Sequence, residues 1–259
     1  MLVHPERYQQ VRIVWRKDHS DDLWSIRGVP EQPLLFKPGQ YATLGVEHED
    51  KVIERAYSIV SSPLEAPEIE FFFELVPQGA LTPKLYPLGV GDTMLMRKQP
   101  KGLFTLDAKT GHKKHFLVST VTGVAPYVAM ARTLSRQSNE GAVPDQLLVV
   151  LQAASYPREF AYREELEETA ATHPGWLKYV PTISRPWETP DWKGESGRAE
   201  DLIREYMRVF DLNPAETTGY LCGHPQMIEN GKGILKRAGF TKESIKEEVY
   251  WIPAKGAED

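Results

Sequence analysis

Residues 115–130 read HFLVSTVTGVAPYVAM, and this stretch decides the fold of the C-terminal half. The run HFLVST is apolar without alternation, which is typical of a strand buried on both faces. The next run, APYVAMARTLSRQ, has apolar residues at helical spacing, so a helix follows after a short turn. A strand that leads directly into a helix predicts a βα unit of a parallel sheet, with a ligand site at the carboxyl ends of the strands.

The turn inside this stretch has the composition of a phosphate-binding turn. Gly123 permits close approach of a ligand to the backbone, and Pro126 suits the first turn of a helix whose N–H groups favour a phosphate. Thr122, Val124 and Ala125 complete it. An ordinary strand-to-helix connection has the same residue types, so the turn by itself leaves both interpretations open.

Further strands and helices alternate towards the C-terminus, as in a parallel α/β domain. Cys222 ends the run TTGYLC, which places it at the carboxyl end of another parallel strand, although a lone cysteine is also often a small buried apolar residue. We expect the following segments: strands QLLVVLQAA, LKYVPTIS and TTGYLCG; helices PREFAYREELEETAATH, RAEDLIREYMRVF and HPQMIENGKGILKRAG.

The first hundred residues have a different pattern, with short β-rich runs separated by Pro- and Gly-containing turns. Such spacing predicts a small antiparallel barrel or sandwich, with one short helix at LTPKLY. The expected strands are VRIVW, LWSIRGV, PLLFKPGQYATLGV, RAYSIV, IEFFFELV and DTMLMRK. The pattern changes within the polar stretch DAKTGHKKH, so we predict two domains, residues 1–107 and 108–259.

Composition narrows the function classes. A net charge of −5 argues against general nucleic-acid binding, and one cysteine excludes cysteine-ligated iron–sulfur and zinc sites. The histidines form no convincing metal-ligand set, and no apolar run has membrane-spanning length, so we expect a cytoplasmic protein without a metal. One local cluster of cations is either a docking patch for an acidic partner or a solvated loop: Arg97, Lys98, Lys101, Lys109, Lys113 and Lys114.

Five motifs, in their order and spacing, resemble the bacterial ferredoxin/flavodoxin–NADP reductase family over nearly the whole chain. They are Arg55-Ala56-Tyr57-Ser58, Pro77-Gln78-Gly79-Ala80-Leu81-Thr82, Thr122-Gly123-Val124-Ala125-Pro126, Cys222-Gly223-His224-Pro225-Gln226-Met227 and Glu248-Val249-Tyr250-Trp251. The resemblance implies an FAD-binding barrel followed by an NADP-binding α/β domain, which agrees with the change of pattern described above.

The same resemblance implies roles for the residues around FAD. Arg55 would neutralise the diphosphate, Tyr57 would stack on the isoalloxazine and Ser58 would lie near N5; Ala56, Gly79, Leu81 and Thr82 would complete this part of the site. Tyr250 would cover the second flavin face, and Trp251 would stack on the adenine. The alternative roles are a surface ion pair for Arg55, core packing for the aromatic residues and helix capping for Ser58 or Thr82.

For NADP(H), the resemblance assigns the 2′-phosphate to Ser184, Arg185 and Arg198, and no acidic residue that would favour NAD follows the third strand. Tyr162 is either part of the adenosine site or a packing residue. The chain differs from the family pattern in three places. Val121 stands where relatives commonly have glycine, Ser155 where they often have arginine, and IPAKGAED continues the chain after Trp251.

The implied reaction is hydride transfer from NADPH to flavin N5, followed by single-electron transfer to ferredoxin or flavodoxin. Ser58, Cys222 and Glu248 would frame the nicotinamide. Two alternatives remain on the same fold. One is a general NAD(P)H:flavin oxidoreductase or the reductase component of an oxygenase, and the other is a non-catalytic nucleotide sensor.

Overall fold

The computed structural model describes residues 6–106 and 109–250. The chain divides into two compact units. The first contains residues 1–105 together with 125–133, and the second contains residues 106–124 and 134–259. Asp107 and Ala108, at the predicted domain boundary, lie outside the described residues.

The first unit contains a six-stranded antiparallel sheet in the order β4-β3-β6-β1-β2-β5. A bridge between Ile59 and Phe71 joins its two ends, and the Val60 N–H donates to the Glu70 carbonyl at 2.9 Å. The predicted antiparallel barrel is therefore confirmed. The strands are β1 Tyr8–Asp18, β2 Leu23–Pro30, β3 Tyr41–His48, β4 Lys51–Ser58, β5 Ile69–Glu74 and β6 Thr93–Arg97.

The barrel interior is filled by aliphatic and aromatic side chains from alternating strand positions. Trp24 and Phe73 are fully buried and stack with ring centroids 5.1 Å apart. Burial of each large apolar side chain stabilises the unit by about 1.5–3 kcal/mol. A short helix, α1 Thr82–Leu85, lies where LTPKLY predicted one.

One expected strand segment is wrong. PLLFKPGQ, the beginning of the predicted third strand, is not in a strand, and β3 starts only at Tyr41. Pro33 and Pro38 bracket this segment and have no N–H to donate to a sheet, which explains why apolar composition alone misled the prediction. Leu35 in its middle is 88% exposed.

Helix α2, Ala125–Asn139, contributes its first nine residues to the first unit. Arg132 Nη1 lies 2.9 Å from Glu70 Oε2, and Arg27 Nε lies 2.9 Å from the same oxygen. The Glu70 side chain is only 2% exposed, so these two guanidinium groups compensate a carboxylate that has lost its water. Thr133 Oγ1 also donates to Ser62 Oγ at 2.9 Å.

The second unit contains a six-stranded parallel sheet in the order β10-β9-β8-β7-β11-β12, which confirms the predicted α/β class. The strands are β7 Lys114–Thr120, β8 Leu147–Ala154, β9 Leu177–Ile183, β10 Glu195–Ser196, β11 Thr217–Gly223 and β12 Ile245–Val249. The remaining helices are α3 Arg163–Thr172, α4 Ala199–Val209 and α5 Pro225–Arg237. In the part of the chain that the structure describes, no helix is long and apolar enough to cross a membrane.

The strand order reverses between β7 and β11. From β7 the chain proceeds outward through β8, β9 and β10, then returns to place β11 on the other side of β7. In open parallel sheets, the loops at such a reversal diverge and leave a crevice at the carboxyl ends of the strands. The turn Val121–Val124, which follows β7, and the turn after Cys222, which follows β11, are the two loops at this point.

One helix begins later than its sequence pattern predicts. The expected helix over PREFAYREELEETAATH starts only at Arg163, because Pro157–Glu159 forms a separate 3-10 turn. In this turn the Glu159 carboxylate accepts hydrogen bonds from the N–H groups of Ser155, at 2.7 Å, and Tyr156, at 3.2 Å. These bonds fix the loop that follows β8.

Candidate functional site

The last residues of β4 lie at the closure of the barrel. Arg55 and Ala56 are exposed, Tyr57 is half-buried and Ser58 is 4% exposed. Beyond Ser58 the chain leaves its pairing with β3 and bridges to Phe71. Because the chain changes its pairing partner here, side chains near Ser58 need not alternate strictly between the two faces of the sheet.

Arg55 and Tyr57 are suited to an anion and to an aromatic ring, respectively. Arg55 Nη1 donates to the Glu54 carbonyl at 2.7 Å, and within residues 6–106 and 109–250 its guanidinium forms no ion pair. The Tyr57 ring lies 4.8 Å from the Phe73 ring, and burial raises its pKa, so the phenol stays neutral near pH 7. Tyr57 thus also packs against the barrel core.

The turn before α1 is narrow. A Cβ on Gly79 would lie 3.0 Å from the Val76 carbonyl oxygen, so only glycine fits without a shift. Thr82 Oγ1 accepts a hydrogen bond from Val76 N at 3.0 Å, which uses the hydroxyl within the turn. Leu81 is buried, and among the described residues the N–H groups of Ala80 and Leu81 have no acceptor. These backbone groups, rather than the Thr82 hydroxyl, are available to a phosphate.

At the strand-order reversal, Gly123 packs directly against the end of β11. A Cβ at this position would lie 2.3 Å from the Cys222 carbonyl oxygen and 2.9 Å from Gly223 Cα. Gly223 has φ +125°, and the N–H of His224 donates to Thr120 Oγ1 at 2.7 Å. The ends of β7 and β11 therefore touch through backbone, and larger side chains cannot enter between them.

Val121 has a left-handed backbone conformation, with φ +39°. A β-branched residue there carries strain of about 1–3 kcal/mol, whereas glycine would not. Its side chain packs against Ala154, Phe160 and Ile183, which offsets part of the strain. The valine that stands where relatives commonly have glycine is thus a strained residue.

Cys222 and Glu248 lie side by side, because they are register partners of the parallel strands β11 and β12. Cys222 is fully buried, and burial raises the pKa of its thiol. The Glu248 charge raises this pKa further, while a hydrogen bond from the Tyr250 side chain opposes the increase. The thiol is therefore uncharged near pH 7. Trp251, the predicted adenine partner, lies outside the described residues.

The residues expected at the 2′-phosphate follow two neighbouring strands, β9 and β10. The Ser184 N–H donates to the Ala154 carbonyl at 2.9 Å, which ties the end of β9 to the end of β8. Ile183 and Ser196 are register partners, so Arg185 and Arg198 each stand two residues beyond this paired level. Both arginines are exposed. Tyr162, in contrast, is 5% exposed, so packing is its structural role.

Two residues of this region escaped the sequence analysis. The ring of Tyr156 lies beneath the Arg158 guanidinium, at 4.2 Å, and the Arg185 guanidinium, at 5.4 Å. Arg185 Nη1 also donates to the Tyr156 hydroxyl oxygen at 2.7 Å. A signal for this contact was present in the sequence SYPRE, which directly follows a buried strand. In it, an aromatic residue is followed two positions later by a cation.

Three of the six members of the cationic cluster, Arg97, Lys113 and Lys114, have ion pairs with carboxylates among the described residues. Arg97 forms two hydrogen bonds with Glu54, and Lys113 lies 2.7 Å from Asp145. Lys98 and Lys101 are exposed. Within the described ranges, no three His, Cys, Asp or Glu side chains are grouped so that they could hold a metal ion.

Two domain families match the chain in the order of its two patterns. The oxidoreductase FAD-binding domain matches residues 23–106, and the oxidoreductase NAD-binding domain matches residues 117–232. The first range contains the β4 motif and the turn before α1. The second contains both turns at the strand-order reversal.

Whole-length relatives share this arrangement. A flavodoxin/ferredoxin–NADP reductase of Escherichia coli is 30% identical over 82% of this chain and 83% of its own length. A ferredoxin–NADP reductase of Pseudomonas aeruginosa is 28% identical over 85% and 86%. The electron transfer component XylA of a Pseudomonas putida xylene/toluene monooxygenase is 26% identical over 91% of this chain but 63% of its own length.

Solved structures agree with the fold. A ferredoxin NADP+ reductase from Neisseria gonorrhoeae, crystallised with FAD and NADP, superposes with a TM-score of 0.81. It covers 95% of this chain and 99% of its own, at 23% identity.

Proposed function

Because the chain belongs to the ferredoxin/flavodoxin–NADP reductase family, we propose that it is an FAD-dependent oxidoreductase that exchanges electrons between NADP(H) and a one-electron carrier, ferredoxin or flavodoxin. The observation that carries this proposal is the strand-order reversal, where Gly123 packs on Cys222 and Glu248 lies beside the thiol. The proposed nucleotide-binding turn therefore lies next to two polar side chains, Cys222 and Glu248, at the carboxyl ends of β7, β11 and β12.

In this proposal residues 1–107 bind FAD. Arg55 binds the diphosphate, because it is a permanent cation without a carboxylate partner in the described chain. Within residues 6–106 and 109–250, the N–H groups of Ala80 and Leu81 also have no acceptor, and in this proposal they complete the diphosphate contacts. Tyr57 provides an aromatic face, and Ser58 lies next to it at the flavin edge. Bound FAD accepts a hydride and releases electrons one at a time, whereas the protein orients the reactants.

Residues 108–259 bind NADP(H) in this proposal. The tight turn from Thr122 to Pro126 lets the pyrophosphate approach the start of α2, whose first N–H groups have no acceptor within the helix. Ser184, Arg185 and Arg198 hold the 2′-phosphate. Tyr250, whose side chain hydrogen-bonds to Cys222, is assigned to the second flavin face on the resemblance of its motif alone.

Cys222 positions the nicotinamide as a neutral group, because its burial keeps the thiol protonated. Cys222 is fully buried, so nicotinamide can contact the thiol only after a neighbouring group has moved. Glu248, the register partner of Cys222, supplies a negative charge next to the thiol and hence next to the proposed nicotinamide position. Hydride transfer requires no general base, and none is assigned.

The carrier is expected to be acidic. Of the cationic cluster, Lys98 and Lys101 are exposed, whereas Arg97 is held by Glu54. Lys98→Glu should therefore slow carrier reduction at low salt without slowing flavin reduction by NADPH. Lys193→Glu, an exposed change in the second unit, is the matched control. Equal carrier rates for the Lys98 variant and wild type would contradict the docking role.

Absorbance spectroscopy tests the activity directly. The purified protein should be yellow, NADPH should bleach it anaerobically much faster than NADH, and ferredoxin or flavodoxin should restore the colour. Equal rates with both nucleotides would contradict the NADP assignment. A cytoplasmic location, consistent with the lone cysteine in a reducing compartment, is tested by cell fractionation.

The similarity to XylA favours one second candidate, a reductase component that serves an oxygenase or free flavin. Rapid reoxidation by free FMN, together with no response to ferredoxin or flavodoxin, would support it. A colourless protein that does not retain added FAD would instead support a nucleotide sensor.

A further inference from the structure

Tyr156 connects two arginines that come from different loops. Arg158 belongs to the 3-10 turn after β8, and Arg185 stands two residues after the end of β9, directly before the 3-10 turn Pro186–Glu188. Both guanidinium carbons lie over the Tyr156 ring, at 4.2 Å and 5.4 Å. An aromatic ring attracts a cation electrostatically, so this one side chain contacts guanidinium groups from two different loops.

The hydroxyl of Tyr156 fixes the arrangement further. It accepts a hydrogen bond from Arg185 Nη1 at 2.7 Å and donates one to Glu188 Oε2 at 2.7 Å. Glu188 Oε1 also lies 3.9 Å from Arg185 Nη1. The loop that carries Tyr156 is itself held by the Glu159 carboxylate, so the platform is built before any ligand arrives.

Two exposed guanidinium groups that contact the same ring repel each other unless an anion compensates their charge. Arg185 is 50% exposed, and Arg158 is exposed as well. The Glu159 carboxylate acts on Arg185 electrostatically, and Glu188, which is 45% exposed, reaches Arg185 Nη1 only at 3.9 Å. A phosphate dianion has more charge and more acceptor oxygens than this carboxylate, and it suits planar guanidinium donors.

We propose that Arg158 is a specificity-determining residue that binds the 2′-phosphate of an adenine dinucleotide together with Arg185, and that Tyr156 positions both arginines. Arg158 takes the place of the cation that Ser155 lacks. This inference rests on the proposed function, since it deepens the assignment of the NADP(H) site. Glu188 is an internal competitor, because it occupies the Tyr156–Arg185 pair until the phosphate replaces it.

Calorimetric titration of the FAD-bound protein with adenosine 2′,5′-bisphosphate and, separately, AMP tests this proposal without a catalytic readout. Arg158→Ala should weaken bisphosphate binding about tenfold and leave AMP binding within about twofold, since one charge-assisted contact is lost. Arg163→Ala is the matched control, because Arg163 pairs with Glu167 at 2.6 Å and lies over Trp192 instead of Tyr156. It should change bisphosphate affinity by less than about twofold.

Three other variants separate positioning from charge. Tyr156→Leu should weaken bisphosphate binding as much as the Arg158 change, and Arg158→Lys should restore only part of the affinity, since an ammonium lacks the planar fork. Glu188→Gln should tighten bisphosphate binding up to about fivefold. Unchanged bisphosphate affinity in Arg158→Ala would overturn the role of Arg158. It would not contradict the proposed reduction of the flavin by NADPH. Failure of the wild type to prefer bisphosphate over AMP would overturn both this role and the NADP assignment.

Discussion

The Cys222 carbonyl oxygen lies 2.3 Å from the position that a Cβ on Gly123 would occupy. Gly123 lies in the turn after β7 and Cys222 lies in β11, the two strands that border the strand-order reversal, and their backbones are in direct contact. The turn therefore requires glycine at this position, because the atoms next to it belong to backbone that cannot rotate away as a side chain could.

Gly123→Ala should accordingly displace the turn. We expect a loss of about 1–3 kcal/mol in unfolding free energy, as for other overpacked sites, together with weaker NADP+ binding. Thermal unfolding and NADP+ titration measure the two effects. Gly175→Ala is the control, since nothing lies within 4 Å of its Cβ position, and it should leave both values nearly unchanged. Equal behaviour of the two variants would show that the turn can relax.

Substitutions at Val121 should reverse the usual order of alanine and glycine. At an ordinary position, alanine is more stable than glycine by about 0.4–1 kcal/mol, because glycine loses more backbone entropy on folding. At φ +39° this advantage should be outweighed by strain, so Val121→Gly should unfold at a higher temperature than Val121→Ala. The same pair at Val143, 91% exposed, should follow the usual order. A lower unfolding temperature for Val121→Gly than for Val121→Ala would contradict the strain.

The Cys222 thiol should make stability fall at alkaline pH. Its pKa is raised in the folded chain, so between the ordinary thiol pKa of about 8.5 and the folded value the unfolded state binds fewer protons. The stability is complete below about pH 8.5 and decreases as pH rises above it. Denaturant titrations from pH 7 to 10 should show this slope for wild type and a shallower one for Cys222→Ala. Identical slopes would contradict the shifted pKa.

Arg132 should contribute to the stability of the first unit through Glu70. Arg132→Ala removes one of the two guanidinium groups that compensate a carboxylate with 2% exposure, so we expect a loss of about 1–3 kcal/mol. Lys113→Ala breaks an ion pair whose side chains are 60% and 82% exposed and should cost less than about 0.5 kcal/mol. Denaturant unfolding compares the two. The double variant Arg132→Ala/Glu70→Gln should recover part of the lost unfolding free energy, because it no longer contains the uncompensated Glu70 charge.

The sequence predicts the parallel domain well because its strands are buried on both faces and leave an unbroken apolar signal. The run TTGYLCG coincides with β11, Thr217–Gly223. It predicts the antiparallel part less well, since PLLFKPGQ is apolar but contains two prolines that cannot join a sheet. The local sequence pattern indicates which side chains are buried and how they are spaced. It does not indicate which backbone N–H and C=O groups form hydrogen bonds in a sheet.

The candidate site follows the same division. Cys222 and Glu248 are neighbours because two predicted strands are parallel and in register, which the order of motifs implies. The contact of Tyr156 with Arg158 and Arg185 depends on the conformation of two loops separated by a helix and a strand. No periodicity encodes such a contact. The left-handed conformation of Val121 was likewise visible only as a departure from glycine.

The two-part composition of the first unit has a consequence for synthesis on the ribosome. The barrel strands emerge before residues 125–133, although these residues belong to the same compact unit. Until then Glu70 lacks Arg132, and Phe104 lacks Tyr127, whose ring lies 6.0 Å away in the finished unit. The nascent barrel is thus completed only when the first strand and helix of the following domain have been made, so maturation of the N-terminal half waits for translation of the C-terminal half.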